Sequence, residues 1–140
     1  MQFAATKIKM TQVVRGEEIV PVTAVQIGSG EGDATLAEGD LVRVVGRSRG
    51  KGFQGVVKRH GFHGGPKTHG QKDRHRGPGT AGPTHPQKVI KGRRMAGRTG
   101  GDRVTVKNVK VVEWREEPKI ALLKGQIPGY RGSAIRIYKP

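Results

Sequence analysis

From Gly46 to Gly101 the chain carries fourteen Lys and Arg, five His and fifteen Gly against a single acid, Asp73. A stretch with a net charge of +13 cannot neutralise itself. Its apolar side chains are too sparse to build a core, and its many Gly raise the entropic cost of any regular element. The fold must therefore be made by what flanks this stretch, and the stretch itself needs an external polyanion. Nucleic acid is the natural one, because Lys and Arg contacts to phosphate release condensed counterions.

The flanks have different chemistry. Outside residues 46–101 there are 13 basic and 10 acidic residues, a net of +3 over 84 positions. Residues 3–14 and 18–28 read as two strands around the turn Arg15-Gly16-Glu17. In the second, Val20 and Val22 share one face while Val25 and Ile27 share the other. That change of phase at Thr23-Ala24 predicts a bulge, a bend or a shortened connection. Residues 29–39 form a polar acidic loop, and 40–46 a third strand. Val104 and Val106 alternate with polar residues, then Val109 and Val111 do so in the opposite phase around Asn108. Ile120 to Lys124 is a short apolar run, Gln126-Ile127-Pro128-Gly129 a turn, and Ile135 and Ile137 mark a last strand. The pattern predicts a mainly β protein: a small antiparallel β-barrel made by residues 1–45 and 102–140. Residues 46–101 are then a long irregular basic insert. Its one predicted helix covers 53–60, with Phe53, Val56 and Val57 on one face.

Several classes of function fail on their own requirements. Gly46-Arg47-Ser48-Arg49-Gly50-Lys51-Gly52 has neither the Gly spacing of a phosphate-binding P-loop nor a hydroxyl after the Lys. The five His lack Cys partners and have only Asp73 nearby, which argues against a metal site. Ser48 and Thr68 have His nearby but no carboxylate to orient a base. The reading is no enzyme, no cofactor, no metal and no small-molecule substrate. No apolar run approaches the ~18–20 residues that span a bilayer, and Gly and Pro forbid a long basic amphipathic helix, so no membrane partner is expected either.

Direct contact with RNA is predicted for Arg47, Arg49, Lys51, Lys58, Arg59, Lys67, Lys72, Arg74, Arg76, Lys88, Lys91, Arg93, Arg94 and Arg98. His60, His69 and His75 join them by stacking on bases or bonding phosphate. Gly50, Gly52, Gly55, Gly92 and Gly97 allow close backbone approach. RNA is favoured over DNA because no helix-turn-helix, zinc finger or basic zipper offers a reading head for the major groove. With 4% aromatic residues the chain is not an aromatic-rich single-strand binder. A folded RNA, read by shape, phosphate and 2′-OH, fits an irregular basic insert. Free of RNA, residues 61–100 are expected to be disordered. Trp114, next to Val111 and Val112, reads as core or barrel rim.

Lys51-Gly52-Phe53-Gln54-Gly55-Val56-Val57-Lys58-Arg59-His60-Gly61-Phe62 resembles the hallmark run of universal large-subunit ribosomal protein three, in its bacterial type and shortened. Thr68-His69-Gly70, His75-Arg76-Gly77-Pro78-Gly79, Lys91-Gly92-Arg93-Arg94-Met95-Ala96-Gly97 and Arg103-Val104-Thr105-Val106 follow in the family's order and approximate spacing. Lys9-Met10-Thr11-Gln12 is similar to its N-terminal strand, and Leu123-Lys124-Gly125 with Ile127-Pro128-Gly129 to its C-terminal one. Members of the family carry further material after the Val-Pro-Val-Thr strand, where Thr23 here runs straight into Ala24.

The resemblance implies a structural constituent of the large ribosomal subunit that binds large-subunit rRNA and supports early assembly. It implies a barrel on the subunit surface, beside other large-subunit proteins such as numbers fourteen and nineteen. The insert would reach toward the peptidyl transferase centre. It also implies a ribosomal location in the cytoplasm, with an organellar ribosome as the alternative setting. A free-standing RNA-binding chaperone or regulator on the same barrel is the competing function.

Overall fold

The alternating apolar residues of the flanks need a covered face, and they obtain it by closing a sheet on itself. The computed structural model describes residues 2–28 and 36–139. Six antiparallel strands form a closed barrel: β1 (Gln2–Arg15), β2 (Glu18–Ile27), β3 (Leu41–Arg47), β6 (Arg103–Arg115), β7 (Ile120–Lys124) and β8 (Ala134–Tyr138). Around the barrel the order is β1-β2-β7-β6-β3-β8, and β8 pairs with β1 to close it. Between β3 and β6 in sequence lie β4 (Gly52–Gln54), the helix α1 (Val56–His60) and β5 (Gly97–Thr99). Chain contacts divide the molecule into two compact units, Met1–Arg49 with Gly101–Pro140, and Gly50–Gly100. Of the acidic loop read at 29–39, residues 29–35 lie outside the described residues.

The barrel interior is filled by Phe3 and Ala5, Val25 and Ile27, Val42 and Val44, Val109 and Val111, Ala121 and Leu123, and Ile135 and Ile137. Leu36 and Ile127, from connections, complete it. A second apolar cluster joins Val20, Val22, Ala24, Val112 and Leu122, with Ile8, Val13 and Ile120 against it. It accounts for the change of phase in β2. Thr23, Val25 and Ile27 point inward and Val20, Val22 and Ala24 outward along an unbroken strand. The predicted irregularity at Thr23-Ala24 is therefore not in β2: its apolar pattern changes face because each face is covered over a different half. The register shift lies in the neighbouring β1, between Lys7 and Lys9.

The second change of phase is a true bulge. Val42 pairs with Val109 and Val44 with Val106, so Lys107 and Asn108 together oppose Arg43. Asn108 takes a left-handed conformation (φ 56°), which Asn tolerates better than most residues. Val111 faces the barrel interior and Val112 the outer cluster, and a further shift between Val111 and Glu113 brings Trp114 opposite Ala121 on the inner face.

Two features of this unit carry no obvious sequence signal. Lys7 points inward and is buried, its Nζ donating to the carbonyls of Ile127 (2.8 Å) and Gly129 (2.9 Å) in the turn before β8. Burial pushes its pKa below the ordinary lysine value. The end of the β1–β2 hairpin leaves Met10, Val14 and Ile19 exposed on one face, with Val14 directly opposite Ile19. Trp114 is half-buried against the inner core, with no acceptor for its Nε1 among the described residues. It belongs to the barrel wall.

Candidate nucleic-acid interface

The basic stretch has its own local order. Its two ends are paired, β4 with β5, in the register Gly52–Thr99, Phe53–Arg98 and Gln54–Gly97. The Lys51 N–H extends this pairing by donating to the Thr99 carbonyl at 2.8 Å. This corrects the helix read over 53–60. Phe53 is 76% exposed and lies on a strand, and the helix is the five residues Val56–His60. The spacing of Phe53, Val56 and Val57 resembles a helical face, but pairing with residues more than forty positions away claims the first of them.

Gly55 precedes the helix in an extended conformation, and Gly61 ends it at φ 72°, a left-handed cap that suits Gly. Lys58, Arg59 and His60 fall in its last turn, where the helix dipole favours positive charge. Val56 is its one buried residue. The Arg59 guanidinium and the His60 ring both converge on the Met95 carbonyl, at 2.8 Å and 3.0 Å. A Cβ at position 97 would strike the Arg59 guanidinium, so Gly97 gives that side chain its room.

From Gly61 onward turns replace periodic structure. The Gly65 N–H donates to the His75 carbonyl at 3.0 Å, and the His75 ring pairs with the Pro66 carbonyl at 3.0 Å. At Gly64 an added Cβ would collide with that same His75 carbonyl, so only Gly fits there. Arg93 donates to the Thr80 carbonyl at 2.6 Å, tying together positions 13 apart.

The predicted contact residues now divide by what they touch. Arg47 ends β3 and Arg49 follows it, both exposed in the barrel unit. The second unit holds Lys51, Lys58, Arg59, Lys67, Lys72, Arg74, Arg76, Lys88, Lys91, Arg93, Arg94 and Arg98, every one exposed. Among the described residues, none of these fourteen cations is in an ion pair; the salt bridges found are Arg15–Glu38, Arg115–Glu113 and Lys139–Asp40. His69 is exposed, while His60 and His75 are half-buried and bonded to backbone. Of the five Gly read as points of close approach, Gly50, Gly52, Gly55 and Gly92 have open space where a Cβ would sit. Gly97 instead faces Arg59.

Sequence reasoning missed a hollow of about 380 Å³ in this unit, with Val56, Phe62, Pro78, Ala81, Met95 and Ala96 on its walls. These residues come from separate segments without shared periodicity, so no local pattern announced it. Among the described residues, no group of three or more His, Asp or Glu could hold a metal ion. Among the described residues, no helix is long and apolar enough to cross a membrane.

A closed antiparallel barrel and a glycine-rich unit whose exposed cations form no ion pair among the described residues define a strongly basic β-barrel protein. The ribosomal protein L3 family matches residues 31–121, and the chain belongs to that family, in its bacterial type. It is 54% identical over 100 residues to the large ribosomal subunit protein uL3 of Herpetosiphon aurantiacus, covering 71% of this chain and 47% of that protein. It is 49% identical over 104 residues to the uL3 protein of Chlorobium limicola, covering 74% and 50%. The chain spans about half the length of the curated relatives it matches.

Proposed function

We propose that this chain is a structural constituent of the large ribosomal subunit that binds large-subunit rRNA and is not an enzyme. The observation that carries this reading is the set of fourteen exposed cations between Arg47 and Arg98 with no ion-pair partner among the described residues. Such a surface has unmet electrostatic demand, and RNA phosphate satisfies it. Family membership adds the setting: a ribosome, in the bacterial cytoplasm.

In this reading the barrel forms first and positions the chain, and residues 46–101 form the RNA-penetrating part. They settle against RNA during early assembly and reach toward the peptidyl transferase centre. Ordering that part costs roughly 1–2 kcal/mol per residue in backbone entropy, which phosphate contacts must offset. Neighbouring large-subunit proteins, numbers fourteen and nineteen among them, cover part of the barrel.

Sedimentation through a high-salt cushion with assembled large subunits tests the reading. A constituent stays with the particle. Quantitative wash-off would favour the free-standing RNA-binding chaperone or regulator instead.

A further inference from the structure

The hollow between α1 and the chain preceding β5 differs from its surroundings. Around it the unit is polar, glycine-rich and cationic, yet its walls are Val56, Phe62, Pro78, Ala81, Met95 and Ala96. Val56 is buried and Phe62 half-buried, while Met95 is 42% exposed. Three guanidinium-bearing residues, Arg76, Arg93 and Arg94, also line it. Arg93 is held by the Thr80 carbonyl, and neither Arg76 nor Arg94 has an acceptor among the described residues. Phe62, Pro78 and Arg94 line both this hollow and a second one, bordered by Gly61, Gly64, Gly65, Gly77 and Gly79.

The chemistry of the occupant follows from those walls. An apolar cleft wants a flat, weakly polar body; three arginines beside it, none in an ion pair among the described residues, want anionic groups attached to that body. At about 380 Å³ the space is near the lower end for ligand pockets, which run from ~300 to ~1,000 Å³. It suits one ring system, not a peptide helix or a lipid chain. An apolar protein side chain would satisfy the walls but not the arginines; a bare phosphate would satisfy the arginines but not the walls.

We infer that this hollow takes a single unstacked nucleobase from the bound RNA, stacked against Phe62 and the Met95 thioether, with Arg76, Arg93 and Arg94 on the adjoining phosphates. The inference rests on the RNA-binding reading and adds to it a base-dependent contact in an interface otherwise built on phosphate. Base stacking on side chains is tolerant of sequence, so the hollow selects an extruded nucleotide over a paired one, not one letter over another. The glycine-lined space on the other side of Phe62 gives the sugar–phosphate backbone a close path past the protein.

The test compares the full chain's affinity for a fluorescein-labelled ten-nucleotide oligoadenylate with that for the same backbone carrying abasic riboses. Oligoadenylate should bind about tenfold more tightly, and Ala81→Phe, which fills the hollow, should bring the two RNAs within about twofold of each other. An oligomer containing 8-azidoadenine should crosslink to the peptides bearing Phe62 or Met95, a readout that needs no variant and decides the matter if Ala81→Phe misfolds. Equal affinity for the two RNAs, or crosslinks confined to other peptides, would overturn the base site and leave RNA binding standing. Displacement by adenosine monophosphate as effectively as by oligoadenylate would reassign the hollow to free nucleotide and overturn it too. Failure to bind either RNA at low salt would overturn both readings.

Discussion

The two units solve the same problem, holding a chain in one arrangement, with opposite materials. In the barrel unit the cations are largely matched by acids and the interior is a closed apolar layer. In the unit from Gly50 to Gly100 helix and strand cover only short segments, Val56 is the one buried apolar side chain, and positions are held by arginine and histidine on backbone carbonyls. Apolar burial needs no charged partner, whereas cation-to-carbonyl contacts leave charge over for a further partner. One unit closes around its own apolar interior, and the other leaves its cations without acidic partners among the described residues.

Hydrogen exchange gives this contrast its sharpest break point. In the free protein, amides of β2, β6 and β7 should exchange at least about a thousandfold more slowly than those of residues 61–96. Added large-subunit RNA should raise protection mainly in the second set. Equal protection across both units without RNA would erase the contrast. Next in size is Leu123→Ala, which empties a fully buried site in the barrel. It should cost about 2–5 kcal/mol in denaturant unfolding; a loss below ~1 kcal/mol would mean that the barrel interior is not the stabilising element.

Smaller again is the neutralisation of charge in the second unit. Arg94→Gln with Arg98→Gln should lower the slope of log affinity against log salt by about 0.7–0.9 per side chain. The denaturant midpoint should stay put, because neither side chain bonds to protein among the described residues. An unchanged slope would remove both from the phosphate contacts. Arg93 is a poorer probe, since its bond to the Thr80 carbonyl mixes structure with binding.

The smallest effect concerns Lys7. Its pKa is lowered by burial, so the folded protein releases that proton before the unfolded chain does. Between the folded value and the ordinary 10.5 the unfolded chain holds more protons, and stability contributed here rises with pH across that window. Lys7→Met should flatten this rise in pH-dependent unfolding. A parallel curve for the variant would assign the pH dependence elsewhere.

Much of the barrel could be read in advance because strand alternation is a local signal: β1 and β2 flank Gly16, and Ile135 and Ile137 mark β8. The failures share a cause, which is that the deciding partner is distant in sequence. The spacing of Phe53 to Val56 is a local signal for a helix, while its strand partner Arg98 lies forty-five positions away. At Thr23-Ala24 the pattern reported a change of covered face, and only the outer cluster with Val112 and Leu122 shows why no irregularity in β2 is needed. Lys7 and Lys9 alternate with Ile8 and Met10 as surface lysines would, yet Lys7 shares the inward face of Ala5, where the turn carrying Ile127 and Gly129 supplies its acceptors. In the basic unit, composition points to the cations, but it cannot separate Arg59 and His60, which also hold the Met95 carbonyl, from Arg94 and Arg98, which bond no protein group among the described residues.

The exposed hairpin face of Met10, Val14 and Ile19 has a practical consequence for anyone handling this protein. A greasy ribbon invites self-association, and with a chain charge of +16 mutual repulsion between copies is the main force against it. Salt screens that repulsion just as it loosens RNA. The buffers that strip nucleic acid from the protein during purification are therefore those in which it will clump soonest, and low ionic strength, where nucleic acid clings hardest, is where it will stay dispersed.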